Sequence, residues 1–320
     1  MASCREENAE VQKPYLIYIE DFMLAIIIPY YKLTFFRETL ESLAVQTDQR
    51  FNVYIGNDAS PEDPESLLKE FEGKFSFTYK RFDKNLGGTS LTQQWERCIE
   101  MMQGEEWFMI LGDDDFLDVN FVASFNRVYN ADLLSGLHVI KCLAKIVDEE
   151  GKVIIDKTQE VKNIGNSSVD CFIAKTKGKI NSSLSEHIFS VKKYKEVKFR
   201  HYPFAWHSDD FATLQFSSFG KIYILRDALC YVRMSTISIS GSSDNLEQKK
   251  TASDEFYKDV FSEIRINKLN HEQKLFFAYF WSSYFPQRFN FNAMKLYINT
   301  QGFKGLLAYF KIMIYKIFNN

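Results

Sequence analysis

Trp107-Phe108-Met109-Ile110-Leu111-Gly112-Asp113-Asp114-Asp115 decides how the rest of the chain is read. Five apolar residues in succession are the pattern of a strand buried on both faces. Gly112 breaks the run, and three carboxylates follow. Adjacent acids repel one another unless a cation or a set of donors holds them. Oxygen-only ligands suit Mg2+ or Mn2+, and those ions suit phosphates. The stretch therefore predicts a divalent cation and a phosphate-bearing substrate at the C-terminal end of a buried strand.

Upstream, the same alternation repeats. Residues 23–29 predict a first strand, 51–55 a second and 75–81 a third. Thr34 predicts a cap for a helix carrying Phe36, Leu40, Leu43 and Ala44. Ser60-Pro61-Glu62-Asp63 predicts another helix start, continued by Leu67, Leu68 and Phe71. Leu91, Trp95, Cys98, Ile99 and Met102 share one helical face, which Gly104 ends. Strand and helix alternate four times, which predicts an α/β fold, a parallel sheet with helices on both faces. Such sheets bind ligands outside the carboxyl ends of their strands. Polar clusters at 29–31, 56–60 and 112–115 stand on three of those ends.

Downstream the pattern is less regular. Residues 139–147 and 152–155 predict a hairpin around Glu150-Gly151, and 157–180 predict a loop or lid. A helix is expected over 211–219, strands over 221–225 and 228–233, a loop over 235–243, and helices from about residue 250. The 320 residues are 46% hydrophobic, enough for a substantial core, and the net charge of −3 gives no basic footprint for a nucleic acid partner. Cys4, Cys98, Cys142, Cys171 and Cys230 form no metal-ligand spacing and fit a reduced, cytoplasmic setting. No run is long enough to span a bilayer. Residues 306–318 are apolar and aromatic with interspersed Lys, the pattern of an interfacial helix on an anionic membrane or of a terminal helix packed on the body.

LAIIIPYY (24–31), YIGNDASPED (54–63), KNLGG (84–88), FMILGDDDFLD (108–118) and WHSDD (206–210) stand in the order and spacing of family-two glycosyltransferases. Over residues 22–240 the chain resembles that family. The resemblance implies a GT-A fold, a mostly parallel Rossmann-like sheet, and a nucleotide-diphosphate-sugar donor, most commonly a UDP-sugar. It also implies transfer to an acceptor hydroxyl with inversion.

Residue by residue, it implies that Asp58 binds the nucleobase, with Pro29 and Tyr31 lining the nucleoside pocket. Asn57 stands where the family often has Asp, which leaves the base open. On residue chemistry alone, Asp58 is equally a turn aspartate. Tyr31 offers a ring for stacking. Asn85, Gly87 and Gly88 would form the other lip, where glycine permits close backbone approach. Asp113 would hold the ribose or a metal-bound water, and Asp114 the Mn2+ or Mg2+. Asp115 is a third ligand or a helix cap. Arg233 is placed to meet the diphosphate, and Ser235 stands where the family often shows a His. Asp210 matches the family's catalytic base, with Asp209 as the alternative. Taken alone, the pair is better read as favouring a helix N-terminus by charge–dipole attraction. His207, beside Trp206, reads as structural.

The expected organisation is a polar N-terminal segment (1–20), a GT-A domain (21–245) and a helical C-terminal region (246–320). The expected partners are a nucleotide sugar and a glycan or lipid-linked acceptor, with peripheral contact at the inner face of the cytoplasmic membrane. A nucleotidyltransferase would need a Gly-rich phosphate loop after the first strand, where Pro29-Tyr30-Tyr31 stands instead. A sugar-nucleotide binding protein without activity has no use for Asp209-Asp210.

Overall fold

The computed structural model describes residues 23–236, 238, 245–284 and 290–318. The polar segment 1–20 and most of the 235–243 loop lie outside the described residues. The first half runs β1 (Leu24–Tyr30), α1 (Phe36–Ala44), β2 (Asn52–Asn57), α2 (Glu65–Lys69), β3 (Phe77–Arg81), α3 (Leu91–Ile99), β4 (Trp107–Ile110), β5 (Phe116–Leu117) and α4 (Phe121–Asn130). The second runs β6 (Val139–Val147), β7 (Val153–Asp156), α5 (Thr158–Asn163), α6 (Ser168–Thr176), β8 (His187–Ser190), α7 (Val191–Val197), α8 (Ser208–Phe216) and β9 (Tyr223–Arg233). Three helices follow: α9 (Leu246–Glu263), α10 (His271–Tyr284) and α11 (Phe291–Phe318).

The strands form one sheet in the order β3-β2-β1-β4-β8-β6-β9-β5, with β7 paired to β6. The first four are parallel. Beyond β4 the sheet is mixed: β8 lies antiparallel to β4 and β6, and β9 parallel to β6. Strand periodicity explains β1. Leu24, Ile26, Ile28 and Tyr30 point into one core with α1 and α4, while Ala25 and Ile27 point into a second with α3 and α8. Both faces are covered, so the strand is apolar throughout. Trp95 and Trp107 are core residues, as their patterns predict, and Cys98, Cys142, Cys171 and Cys230 are buried free thiols.

Several local expectations change. Residues 157–180 are not a bare loop but carry α5 and α6. Their polar outer faces hide the period, while Val161, Val169, Cys171 and Phe172 are buried, and the Ser167 hydroxyl caps α6 by accepting from Asp170 N at 3.2 Å. The two strands expected over 221–233 are one strand, with a register shift opposite Cys142 and Leu143. Helix α1 starts after Phe35, without a cap from Thr34, and α2 starts only at Glu65. The C-terminal helices share a third core with α6 and α8, centred on Phe172, Phe211, Phe256, Phe277 and Trp281.

A buried ion pair braces the centre. Lys141 on β6 and Glu186 before β8 are each 1% exposed and in direct contact, and the Lys141 Nζ also donates to Ser182 Oγ at 3.2 Å. Removing one partner strands the other charge in a low-dielectric interior. Lys141→Met should lower stability by about 3–5 kcal/mol, read from the urea midpoint. Adding Glu186→Leu should return most of the loss. An unchanged midpoint in the single variant would show that the pair contributes nothing.

Candidate active site

The carboxyl ends of β1, β2 and β4 meet at one edge of the sheet. There the Asp113 Oδ2 accepts from Tyr31 N and Lys32 N, both at 2.7 Å. This fastens the exit of β1 to the acidic triplet. The Tyr31 carbonyl accepts from Ser60 Oγ at 2.5 Å, so the exit of β2 joins the same knot. Asn57 is fully buried and spends its side chain on this turn, donating to Tyr79 Oη and accepting from Ser60 N, both at 2.9 Å. Pro29 is half-buried opposite Gly56, and the Tyr31 ring is 37% exposed, open to a ligand.

Asp58 is buried, and the lip lies on it. Its Oδ1 accepts from Leu86 N at 2.6 Å and from the Arg97 guanidinium. Its Oδ2 accepts from Gly87 N at 2.8 Å. One acceptor position therefore remains on Oδ2. Asn85 closes the turn by accepting from Gly88 N at 2.6 Å. A Cβ on Gly87 would fall 2.6 Å from Asp58 Oδ2. Arg97 and Leu86 hold that carboxylate in place, so Gly87→Ala must displace the lip. We expect a loss of about 1–3 kcal/mol in thermal unfolding, and an unchanged melting temperature would show that the lip yields freely.

The three acids of the triplet have different surroundings. Asp115 is buried, and both its oxygens are occupied: Oδ2 accepts from Ser185 Oγ at 2.5 Å and Oδ1 from Arg233 N at 2.8 Å. It ties β4 to β9 and, with one bond on each oxygen, keeps one acceptor position on each beside its structural role. Arg233 is likewise committed. It is 1% exposed, and its guanidinium donates to the carbonyls of Asp114, Asp148 and Glu149 and to Glu38. Those bonds, with Phe35 and Phe116 against its plane, leave it as a clamp under the triplet rather than a reader of diphosphate. Asp114 is half-buried between them, and no side-chain partner is found for it among the described residues. Burial and the neighbouring Asp115 charge raise its pKa to about 7. Burial and Asp114 raise Asp113 likewise.

Among the described residues no three metal-ligating side chains converge. A cation here would take one or two carboxylate oxygens from the protein and the rest from phosphate and water. That is how Mg2+ and Mn2+ commonly sit in nucleotide sites, and a raised pKa on an unpartnered carboxylate fits it.

The second acidic pair opens α8. The backbone before it is strained, with positive φ at Phe204, Ala205 and His207 (55°, 52° and 71°). Non-glycine residues hold that region only when surrounding contacts over-determine it. His207 shows such contacts: its ring stacks on Phe256 at 4.5 Å, Nε2 meets Ser253 Oγ at 3.1 Å and Nδ1 meets Asp210 Oδ2 at 2.8 Å. Lys175 from α6 donates to both Asp210 oxygens at 2.6 Å. Burial alone would raise the Asp210 pKa, but Lys175 and His207 outweigh it and hold it well below the ordinary value. Asp209, equally buried, has no side-chain partner among the described residues, and burial with the Asp210 charge raises it to about 6.

Segment 182–187 joins the two acidic centres. Ser185 holds Asp115 and accepts from Gly112 N at 3.1 Å, while Ser182 and His187 line a small cavity with Lys175 and Asp210. Sequence reading missed Ser185, Lys175, Arg97 and Glu38. Each acts across 35 or more positions in sequence, so no local spacing marks them.

Residues 25–132 match the family model "Glycosyl transferase family 2". That stretch is similar to a family 2 glycosyltransferase domain. No curated protein matches the sequence. Solved structures share the GT-A fold at low identity. S. aureus TarS 1–349 in complex with UDP-GlcNAc aligns with TM-score 0.52 and 16% identity, over 91% of this chain and 81% of that one. The mannosyltransferase PcManGT from Pyrobaculum calidifontis, in complex with GDP-Man and Mn2+, aligns with TM-score 0.53 and 9% identity, over 93% and 76%. GalNAc-T7 with UDP, GalNAc and Mn2+ aligns with TM-score 0.50 and 10% identity, over 75% and 50%. The family match spans the triplet and the Asp58 lip, whereas Asp209-Asp210 lies beyond it.

Proposed function

We propose that this glycosyltransferase moves a sugar from a nucleotide-diphosphate donor to an acceptor hydroxyl with inversion, in the assembly of a cell-surface polysaccharide. The observation that carries the reading is the unpartnered Asp114 at the carboxyl edge of β4, flanked by the fastened Asp113 and Asp115. The donor is a UDP-sugar in this reading, its base on the open position of Asp58 Oδ2 and against Tyr31 and Pro29. Asn85, Gly87 and Gly88 shape the lip over it. A divalent cation held by Asp114, when bound, would offset the charge of the departing diphosphate. Asp113, through its second oxygen, faces the ribose or a cation-bound water.

Inversion in one step needs a proton acceptor on the incoming hydroxyl. The absence of a described side-chain partner, together with a pKa raised by burial and the Asp210 charge, supports Asp209 in that task. Asp210 is the second reading, because the family pattern puts the base there. Its bonds to Lys175 and His207 instead suit a group that sets the position of its neighbour. The acceptor is a glycan or lipid-linked glycan at the inner face of the cytoplasmic membrane.

Donor hydrolysis tests the reading. The purified chain should release UDP from at least one of a panel of UDP-sugars with Mn2+ or Mg2+, and not with chelator. Neither binding nor turnover of any nucleotide sugar in either metal would overturn it. Donor binding with no transfer to any acceptor would favour a sugar-nucleotide binding protein.

A further inference from the structure

Helix α11 breaks at Gly302, whose φ of +57° and ψ of −138° lie outside the helical region and suit glycine. The segment beyond the break has two apolar faces. Tyr309 is fully buried, stacks on Trp281 at 4.8 Å and, with Ala308, Ile312 and Met313, packs on the C-terminal core. Among the described residues nothing covers the other face. Phe303, Leu307, Phe310 and Ile314 are 73%, 57%, 43% and 55% exposed. Their spacings of four, three and four residues place them in one stripe.

Lys304 and Lys311 are exposed beside that stripe, about 80–100° around the helix from Phe303. Residues 291–318 contain four lysines and no acid, in a chain whose net charge is −3. A stripe from 303 to 314 is about 16 Å long, far short of a bilayer's width. No described helix is long and apolar enough to cross a membrane. The geometry suits a helix lying along an interface, with the lysine stems reaching back to the headgroups.

We infer that this face docks on a phospholipid bilayer bearing anionic headgroups. The lysines supply the charge complementarity. They argue against a second copy as the occupant, because pairing this face with itself would bring like charges together. The inference stands apart from the sugar-transfer reading, since it rests on no residue of the acidic site.

Co-sedimentation of the full chain with vesicles tests it. The chain should pellet with phosphatidylglycerol–phosphatidylcholine vesicles and much less with phosphatidylcholine alone. Phe303→Ser with Leu307→Ser should weaken binding about tenfold or more, with the melting temperature unchanged because both side chains are exposed. Lys304→Glu with Lys311→Glu should weaken binding and flatten its salt dependence. Failure to pellet with anionic vesicles, or equal pelleting by the Phe303/Leu307 variant, would overturn the inference. So would a dimer that this variant dissociates while vesicles capture nothing. Donor hydrolysis in free solution, on the same preparation, reports separately on sugar transfer.

Discussion

Asp114→Ala should abolish cation-dependent donor binding. Titrated with UDP-sugar and Mn2+, the variant should lose on the order of 100-fold or more in affinity, judged from what weaker supporting contacts contribute at metal sites. The fold should survive, because among the described residues no side chain depends on Asp114 for a hydrogen bond. Asp115→Ala should behave differently. It removes the acceptor for Ser185 Oγ and Arg233 N, so it should lower the unfolding midpoint before any effect on cation affinity. If Asp114→Ala binds donor and Mn2+ like the parent chain, the cation is not held there. If the two variants lose affinity equally at unchanged stability, Asp115 is a ligand after all.

Asp209→Asn should keep donor binding and lower kcat by about 10²–10⁴-fold. The pH profile gives the same assignment a second readout. A base must be deprotonated to act, so with a pKa of about 6 its contribution is lost as pH falls through 6. The kcat/KM of the parent chain should therefore rise from pH 5 and level off above about 7. Asp210→Asn removes the acceptor for Lys175 and His207 and should also lower kcat. The two are told apart by the profile. If Asp209 is the base, Asp210→Asn retains a titrating activity with a shifted midpoint, because a neighbouring charge has gone. Full transfer by Asp209→Asn, together with loss of all transfer in Asp210→Asn, would return the role to Asp210.

The first half of the fold was legible because each signal is local. Buried parallel strands read as apolar runs, and α3 carries its apolar residues at one helical spacing. The acidic triplet and the Asp58 turn follow directly from those strand ends. What the sequence hid was how the charges are spent. Arg233 looks like a ligand-facing arginine at the end of a strand, yet the carbonyls that consume its donors lie 84 to 119 positions away. Lys175 sits in a stretch with no chemical motif, and only the packing of α6 on α8 brings it to Asp210. Helices α5 and α6 escaped for a related reason. Their buried residues face a core supplied largely by segments far along the chain, and their own surfaces are polar.

Segment 182–187 touches the triplet through Ser185 and the Asp210 cavity through Ser182 and His187. The triplet contact falls in the middle of the segment and the cavity contacts at its two ends. In the proposed reading, a donor that moves Ser185 also strains Ser182 and His187. By linkage, an acceptor that moves those two would change donor affinity by the same factor.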